Sequence, residues 1–183
     1  AHWHGGSNNL VFSGGCALNC VANSQITKYW NDIWIMPNPG DAGSAIGAIL
    51  ADLKHHIRWP GAYLGHEITG TYPTDRVVHQ LLQKKICGVA SGKAEFGPRA
   101  LGHRSLLADP RGGKIKDLVN KYKRREPFRP FAPMILEEDV PKYFNGGFLS
   151  PYMSCALQAT QEFRNKYPGV VHLDGTSRLQ VVK

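Results

Sequence analysis

Between Gly92 and Ser105 the chain reads GKAEFGPRALGHRS, which sets Lys93, Glu95, Arg99, His103 and Arg104 on a stretch stiffened by glycines and a proline. Cations held on so stiff a loop suit fixed, bidentate recognition of a phosphate or carboxylate. A structural alternative stands beside it: Glu95 could pair with Arg99 or Arg104 and merely tie the loop. Several cations would still be left over, and that favours anion chemistry.

A second basic stretch, NKYKRREPFRPFAP from Asn120 to Pro133, interleaves positive charge with Phe128 and Phe131. Lys121, Lys123 and Arg124 fit a solvated helix face. Arg125 and Arg129 flank Pro127 and Pro130, are held more rigidly, and make the better anion ligands. Further on, VVHLDGTSRLQ gathers His172, Asp174 and Arg178 around a turn at Gly175. A plain β-turn explains that pattern equally well.

Ser13 to Asn19, SGGCALN, reads as a strand breaking at Gly14-Gly15 into a helix. Such a turn lets backbone N–H groups approach a phosphate or nucleoside, and the helix start favours negative charge. A tight turn without a ligand is the simpler alternative. Asp41, in NPGDAGSAIGA, stands where a helix should begin. It is either an N-cap or a lone carboxylate within reach of a metal.

The elements that must position these residues alternate. Leu10 to Phe12 reads as a buried strand, Cys16 to Trp30 as a helix, Ile33 to Met36 as a strand, and AGSAIGAILADLKHHIR as a helix. The small residues opening that helix imply a close approach of its backbone to something else. Trp59 to Pro73 has Gly, Pro and aromatics without any period and reads as a linker. Thr74 then caps a helix with Val77, Val78, Leu81 and Leu82 on one face. Ile86 to Ala90 is a strand leading into the first basic loop, LLADPR a strand end, and KIKDLVNKYKRR an amphipathic helix carrying Ile115, Leu118, Val119 and Tyr122. FAPMILEE, PYMSCALQA and GVVHLDG complete the strand candidates. The pattern predicts an α/β fold, α+β in part.

A net charge of +8 and a pI near 9.4 call for an anionic partner. Nucleic acid is the obvious candidate, but the charge sits on Gly/Pro loops beside a glutamate rather than along one face, so nucleic acid is not the expected partner. The four cysteines show neither a disulfide framework nor paired zinc spacing. Cys87 and Cys155 lie in apolar runs and read as buried, reduced thiols. No apolar run spans a membrane and no signal peptide is visible, which points to the cytoplasm. The abrupt AHWHGGSNN and RLQVVK ends read as those of a fragment.

Taken in order, LVFSGGCALNCVAN, PNPGDAGSAIGA, GKAEFGPRALGHRSLLADPR, NKYKRREPFRPFAP and VHLDGTSRLQ resemble the carbamoyltransferases of nodulation-factor and antibiotic biosynthesis. The resemblance implies the C-terminal portion of an actin/sugar-kinase-like domain, residues 1–58, followed by an incomplete YrdC-like domain, residues 59–183. It implies ATP-dependent activation of carbamoyl phosphate to carbamoyl adenylate, then carbamoyl transfer to a hydroxyl of a small-molecule or sugar acceptor. Lys93, Glu95, Arg99 and Arg104 become the catalytic candidates, and Arg125, Arg129, His172 and Arg178 the ligands of carbamoyl phosphate and ATP. Gly14, Gly15 and Asn19 would serve the nucleotide, and Asp41 a divalent metal, iron or magnesium. His2 and His4 precede the wrong strand for the family's metal ligands and are not assigned. A homodimer is compatible with this reading. The rival expectations are an RNA-binding YrdC-like module and a truncated, inactive homologue.

Overall fold

In the computed structural model, which describes residues 7–183, strand β1 (Asn9–Val11) runs parallel to β2 (Asp32–Trp34), with Asn9 opposite Asp32 and Val11 opposite Trp34. His2 and His4 lie outside the described residues. Parallel neighbours need a crossover, and here it is a 3-10 turn over Gly15–Leu18 followed by helix α1 (Cys20–Ile26). The single helix expected from Cys16 to Trp30 is therefore two pieces. Asn19 divides them: its backbone is non-helical, and its Oδ1 accepts the Ala22 N–H at 3.1 Å, capping α1.

Helix α2 (Asp41–Leu53) ends where Lys54 turns left-handed at φ 48°, so His55 to Arg58 fall outside it. Its small residues do permit a close approach. A side chain at Gly43 would collide with the Asn38 carbonyl.

The segment read as a linker contains a strand. β3 (Tyr63–Ile68) pairs antiparallel with β5 (Gly92–Glu95), with a register shift between Tyr63 and Glu67. Every residue of β3 is exposed, so it carries none of the apolar alternation by which a half-buried strand is recognised. Helix α3 (Thr74–Lys84) starts where expected, but Thr74 is its first turn residue and no side chain caps it. Val77 is buried, whereas Val78 and Leu82 stand 49% and 56% exposed, so the apolar face is narrower than the sequence suggests. β4 (Ile86–Ala90) pairs antiparallel with β6 (Arg104–Ala108) along its whole length. In α4 (Ile115–Tyr122) Ile115 and Val119 face inward, while Tyr122 is 67% exposed and Asn120 is buried instead.

The principal core lies in the C-terminal half. β7 (Met134–Leu136) runs parallel to β11 (Gln180–Val182), and β8 (Phe144–Asn145), β9 (Ala156–Ala159) and β10 (Thr176–Arg178) form an antiparallel sheet. Helices α5 (Val140–Tyr143) and α6 (Gln161–Lys166) close over them. Phe163 is the hub of this core, its ring centroid 4.4 Å from Phe144 and 4.9 Å from Tyr167, with Leu157 and Leu179 buried alongside. The strand expected over GVVHLDG is instead a 3-10 turn at Pro168–Val170 and a tight turn closed by Gly175 at φ 79°. Asp174 Oδ1 accepts the Thr176 N–H at 2.9 Å, which delays the strand to Thr176.

All four cysteines are free, and Cys155 is buried, its thiol pushed up to about 11 by desolvation. Among the described residues no helix is long and apolar enough to cross a membrane. The fold is mixed α/β, in several small sheets.

Candidate functional site

The basic loop is organised by Glu95, at the end of β5. Its Oε1 accepts the N–H groups of Leu101 at 2.7 Å, His103 at 2.9 Å and Arg104 at 3.2 Å. Burial pushes this carboxyl up, but the donated N–H groups outweigh it and hold the group below the ordinary glutamate range. Glu95 thus ties the loop through backbone donors and not through the guanidinium groups of Arg99 or Arg104. Leu101 is fixed from its other side as well, since its carbonyl accepts the Tyr63 hydroxyl and the Gln180 amide, each at 2.9 Å.

Arg104 is committed to the frame. Its two terminal nitrogens donate to the carbonyls of Ser91, His103, His66 and Gly92 at 2.9–3.1 Å. Lys93, on β5 opposite Glu67, is exposed. Its carbonyl lies 2.7 Å from His103 Nδ1, which must therefore carry the proton, and the His103 ring stacks on Tyr63 at 4.0 Å.

The loop tip leans on the N-terminal turns. Arg99 donates from Nη2 to the Leu18 carbonyl at 3.3 Å. Gly97, at φ 144°, lies so close to the Pro37 carbonyl that a side chain would not fit. Gly14, at φ 96°, donates its N–H to the Pro39 carbonyl at 2.7 Å, Gly15 opens the 3-10 turn, and Asn19 caps α1. These three candidates shape the turn against which the basic loop rests. The fully buried Asn23 ties the same N-terminal turn to the C-terminal half, its Nδ2 donating to the carbonyls of Ala17 at 2.7 Å and Ser154 at 2.8 Å. Between Leu18, Pro39, Arg99 and Tyr152 lies a cavity of about 10 Å³, room for roughly one water. Tyr152 also lines a larger groove of about 580 Å³, together with Tyr63, Leu101, Leu149 and Gln180.

Arg178 lies within the electrostatic reach of Arg99 and Arg125. Burial holds Arg178 below the usual guanidinium range, and the charges of Arg99 and Arg125 depress it further. Arg125 is lowered by burial and then by Arg129, and its guanidinium lies 5.1 Å over the Phe131 ring. The Nε atoms of Arg125 and Arg178 are buried without a hydrogen-bond partner. Among the described residues none of the three is in an ion pair. Buried donors left unpaired beside mutually repelling cations are costly unless an anion compensates them.

Arg129 stands apart, in a 2.8 Å pair with Glu126 in which both side chains are half exposed. His172 belongs to the Gly175 turn, with the Thr176 hydroxyl 3.2 Å from its Nδ1. Burial lowers its pKa, Asp174 partly restores it, and Arg178 lowers it again, so it lies within the field of the cluster. Asp41 is the exposed first residue of α2, where its charge suits the helix start. Among the described residues no group of three His, Cys, Asp or Glu could hold a metal, so Asp41 alone does not fit a metal centre.

The residues that sequence reasoning missed are the polar braces Asn23, Tyr63, Asn120 and Gln180. Gln180 carried a signal, a lone polar residue inside the apolar LQVV run, and Asn120 likewise interrupts the inner face of an amphipathic helix.

The family model for the C-terminus of carbamoyltransferases matches residues 78–183, and that for the N-terminus matches residues 3–50. The chain belongs to the carbamoyltransferase family. It is 39% identical to nodulation protein U of Bradyrhizobium diazoefficiens and 38% identical to nodulation protein U of Rhizobium tropici, in each case over 97% of this chain and 34% of the relative. Nodulation protein NolO of Bradyrhizobium diazoefficiens is 34% identical over 97% of this chain and 38% of its own length. The chain thus spans about a third of the length of these relatives.

Proposed function

We propose that the chain is the part of an O-carbamoyltransferase that binds carbamoyl phosphate and ATP and forms carbamoyl adenylate: water takes the phosphoryl group of carbamoyl phosphate as inorganic phosphate, and the carbamate oxygen so freed attacks the α-phosphorus of ATP and expels pyrophosphate. The carbamoyl group then goes to a hydroxyl of a small-molecule or sugar acceptor. The observation that carries this reading is the pair of buried Nε donors on Arg125 and Arg178, neither with a hydrogen-bond or ion-pair partner among the described residues, with Arg99 and Arg125 both acting on Arg178 electrostatically. Both co-substrates present phosphate oxygens to such donors. Three preorganised cations would also stabilise the charge that builds up as pyrophosphate leaves ATP.

In this reading Arg99, Arg125 and Arg178 hold the phosphates, and Lys93 is the exposed cation that completes the charge. Glu95 and Arg104 work by keeping the loop in shape, because their polar atoms are spent on backbone groups. Arg129 contributes at the rim through its field on Arg125. The turn of Gly14, Gly15 and Asn19 closes the site from the N-terminal side. We take residues 1–58 as the end of the actin/sugar-kinase-like domain and 59–183 as the YrdC-like domain. The two family matches fall on either side of that boundary, which supports the division. The reaction belongs in the cytoplasm, and a homodimer is compatible with it. Asp41 by itself cannot hold a divalent metal, which would need further ligands.

The test is calorimetric titration of the chain with carbamoyl phosphate and with ATP, beside a pyrophosphate-release assay. Arg178→Ala is expected to weaken binding at least about tenfold, the equivalent of one charge-assisted hydrogen bond. Unchanged affinity with a preserved cooperative melt would refute the site.

A further inference from the structure

Asn120 is buried to 1% exposure on a helix face otherwise occupied by Ile115 and Val119. Its Nδ2 donates to the carbonyls of Pro127 at 3.2 Å and Arg129 at 3.0 Å, and its own carbonyl accepts the Arg125 N–H at 3.1 Å. Two acceptors facing the same amide nitrogen leave no doubt about the orientation of the side chain. Its Oδ1 is buried with no partner.

The loop so held is not a relaxed one. The chain leaves α4 through Arg124 in the left-handed region at φ 50°, which a side chain with a Cβ adopts only when its surroundings impose it. Directly after it comes Arg125, stacked over Phe131 with an unpaired, buried Nε. An apolar residue at this position would leave the Pro127 and Arg129 carbonyls without these donors and the loop without its tie. The amide instead spends both N–H groups on the two carbonyls that bracket Phe128. That fixes the path of residues 124–129.

We infer that Asn120 is a positioning residue for the anion site: it sets the direction of the Arg125 guanidinium, and so governs anion affinity without touching the anion. The inference rests on the arginine cluster being that site. Asn120 acts through Arg125, so its effect on affinity must vanish once Arg125 is gone, whereas a merely structural effect would persist.

The experiment is a double-mutant cycle in the 183-residue chain with Asn120→Leu and Arg125→Ala. Carbamoyl phosphate and ATP affinities are read by calorimetry, and Val119→Ala, its buried neighbour, serves as a control of comparable instability. Asn120→Leu is expected to lose about tenfold or more in affinity, Val119→Ala less than twofold. In the Arg125→Ala background Asn120→Leu should add nothing. Should Asn120→Leu fail to fold, Asn120→Ser, which keeps one donor, takes its place in the cycle. Additive losses, or full affinity in Asn120→Leu while Arg125→Ala is impaired, overturn the inference and leave the arginine site standing. Absence of anion binding in the unsubstituted chain overturns the site, and this inference with it.

Discussion

Arg99 reaches back across 81 residues of sequence to donate a hydrogen bond to the Leu18 carbonyl at 3.3 Å. The contact takes only part of its fork of donors, so the guanidinium is oriented without being used up. Arg99→Ala should therefore weaken carbamoyl phosphate or ATP binding at least about tenfold with the fold intact. Arg99→Lys should recover little of the loss, because a point charge cannot replace a planar fork. Calorimetry with a parallel melt checks both, and a lysine variant that binds like the parent would show that only charge matters there.

Glu95 predicts instability rather than a specific loss of chemistry. Glu95→Ala orphans three N–H groups in one loop and is expected to cost about 3 kcal/mol, measured by urea denaturation. Glu95→Gln keeps an acceptor and should be milder. The folded-state pKa of Glu95 is depressed, so its stabilisation is present above the unfolded value near 4.3 and is lost as pH falls through the folded value. Glu95→Gln should flatten that part of the acid-unfolding curve. A curve identical to the parent's would show that the carboxylate contributes nothing there.

His172 predicts an effect at higher pH. Its pKa is lowered on folding, so the unfolded chain binds the proton more readily, and stability rises with pH wherever the two states differ. Stability should start to fall as pH drops below about 6.5, before ordinary carboxylates titrate. His172→Gln should remove this slope below about pH 6.5. If the substitution leaves the slope in place, another group is responsible.

Charge on loops distinguishes a small-anion site from an RNA surface. RNA binding should be weak, indifferent to sequence and steeply reduced by salt, because it would rest on phosphate neutralisation alone. A titration at low and moderate salt, set beside the pyrophosphate assay, decides the matter. Tight, salt-resistant, sequence-dependent RNA binding without pyrophosphate release would sink the carbamoyl reading for this chain.

The arginines clustered among glycines and prolines were legible in the sequence as candidates for chemistry, without knowledge of the fold. That Arg178 lies within the electrostatic reach of Arg99 and Arg125 was not, since nothing local connects positions so far apart. Local pattern located β4 residue for residue and the start of α2, and placed β1 and β2 within two residues, but the strand expected to be buried at Leu10–Phe12 has Val11 72% exposed and α2 stops five residues before Arg58. It failed at β3, whose residues are all exposed, and at GVVHLDG, where Asp174 takes the Thr176 N–H and makes a turn of an apparent strand. The division of labour within the GPRALGHRS loop was equally hidden. Glu95 and Arg104 look like Arg99 in composition, and only their backbone partners separate them.

The backbone of Leu101 joins three distant stretches, taking donors from Tyr63 and Gln180 on its carbonyl while its N–H goes to Glu95. Gln180 lies 79 residues further along the chain, so the last of these bonds closes only after a long search. Contacts of such sequence separation are slow to form, since the entropy of loop closure is lost before any bond repays it. The basic loop therefore locks late in folding, once β11 is docked. Until then the loop between β5 and β6 lacks one of the three ties that hold Leu101.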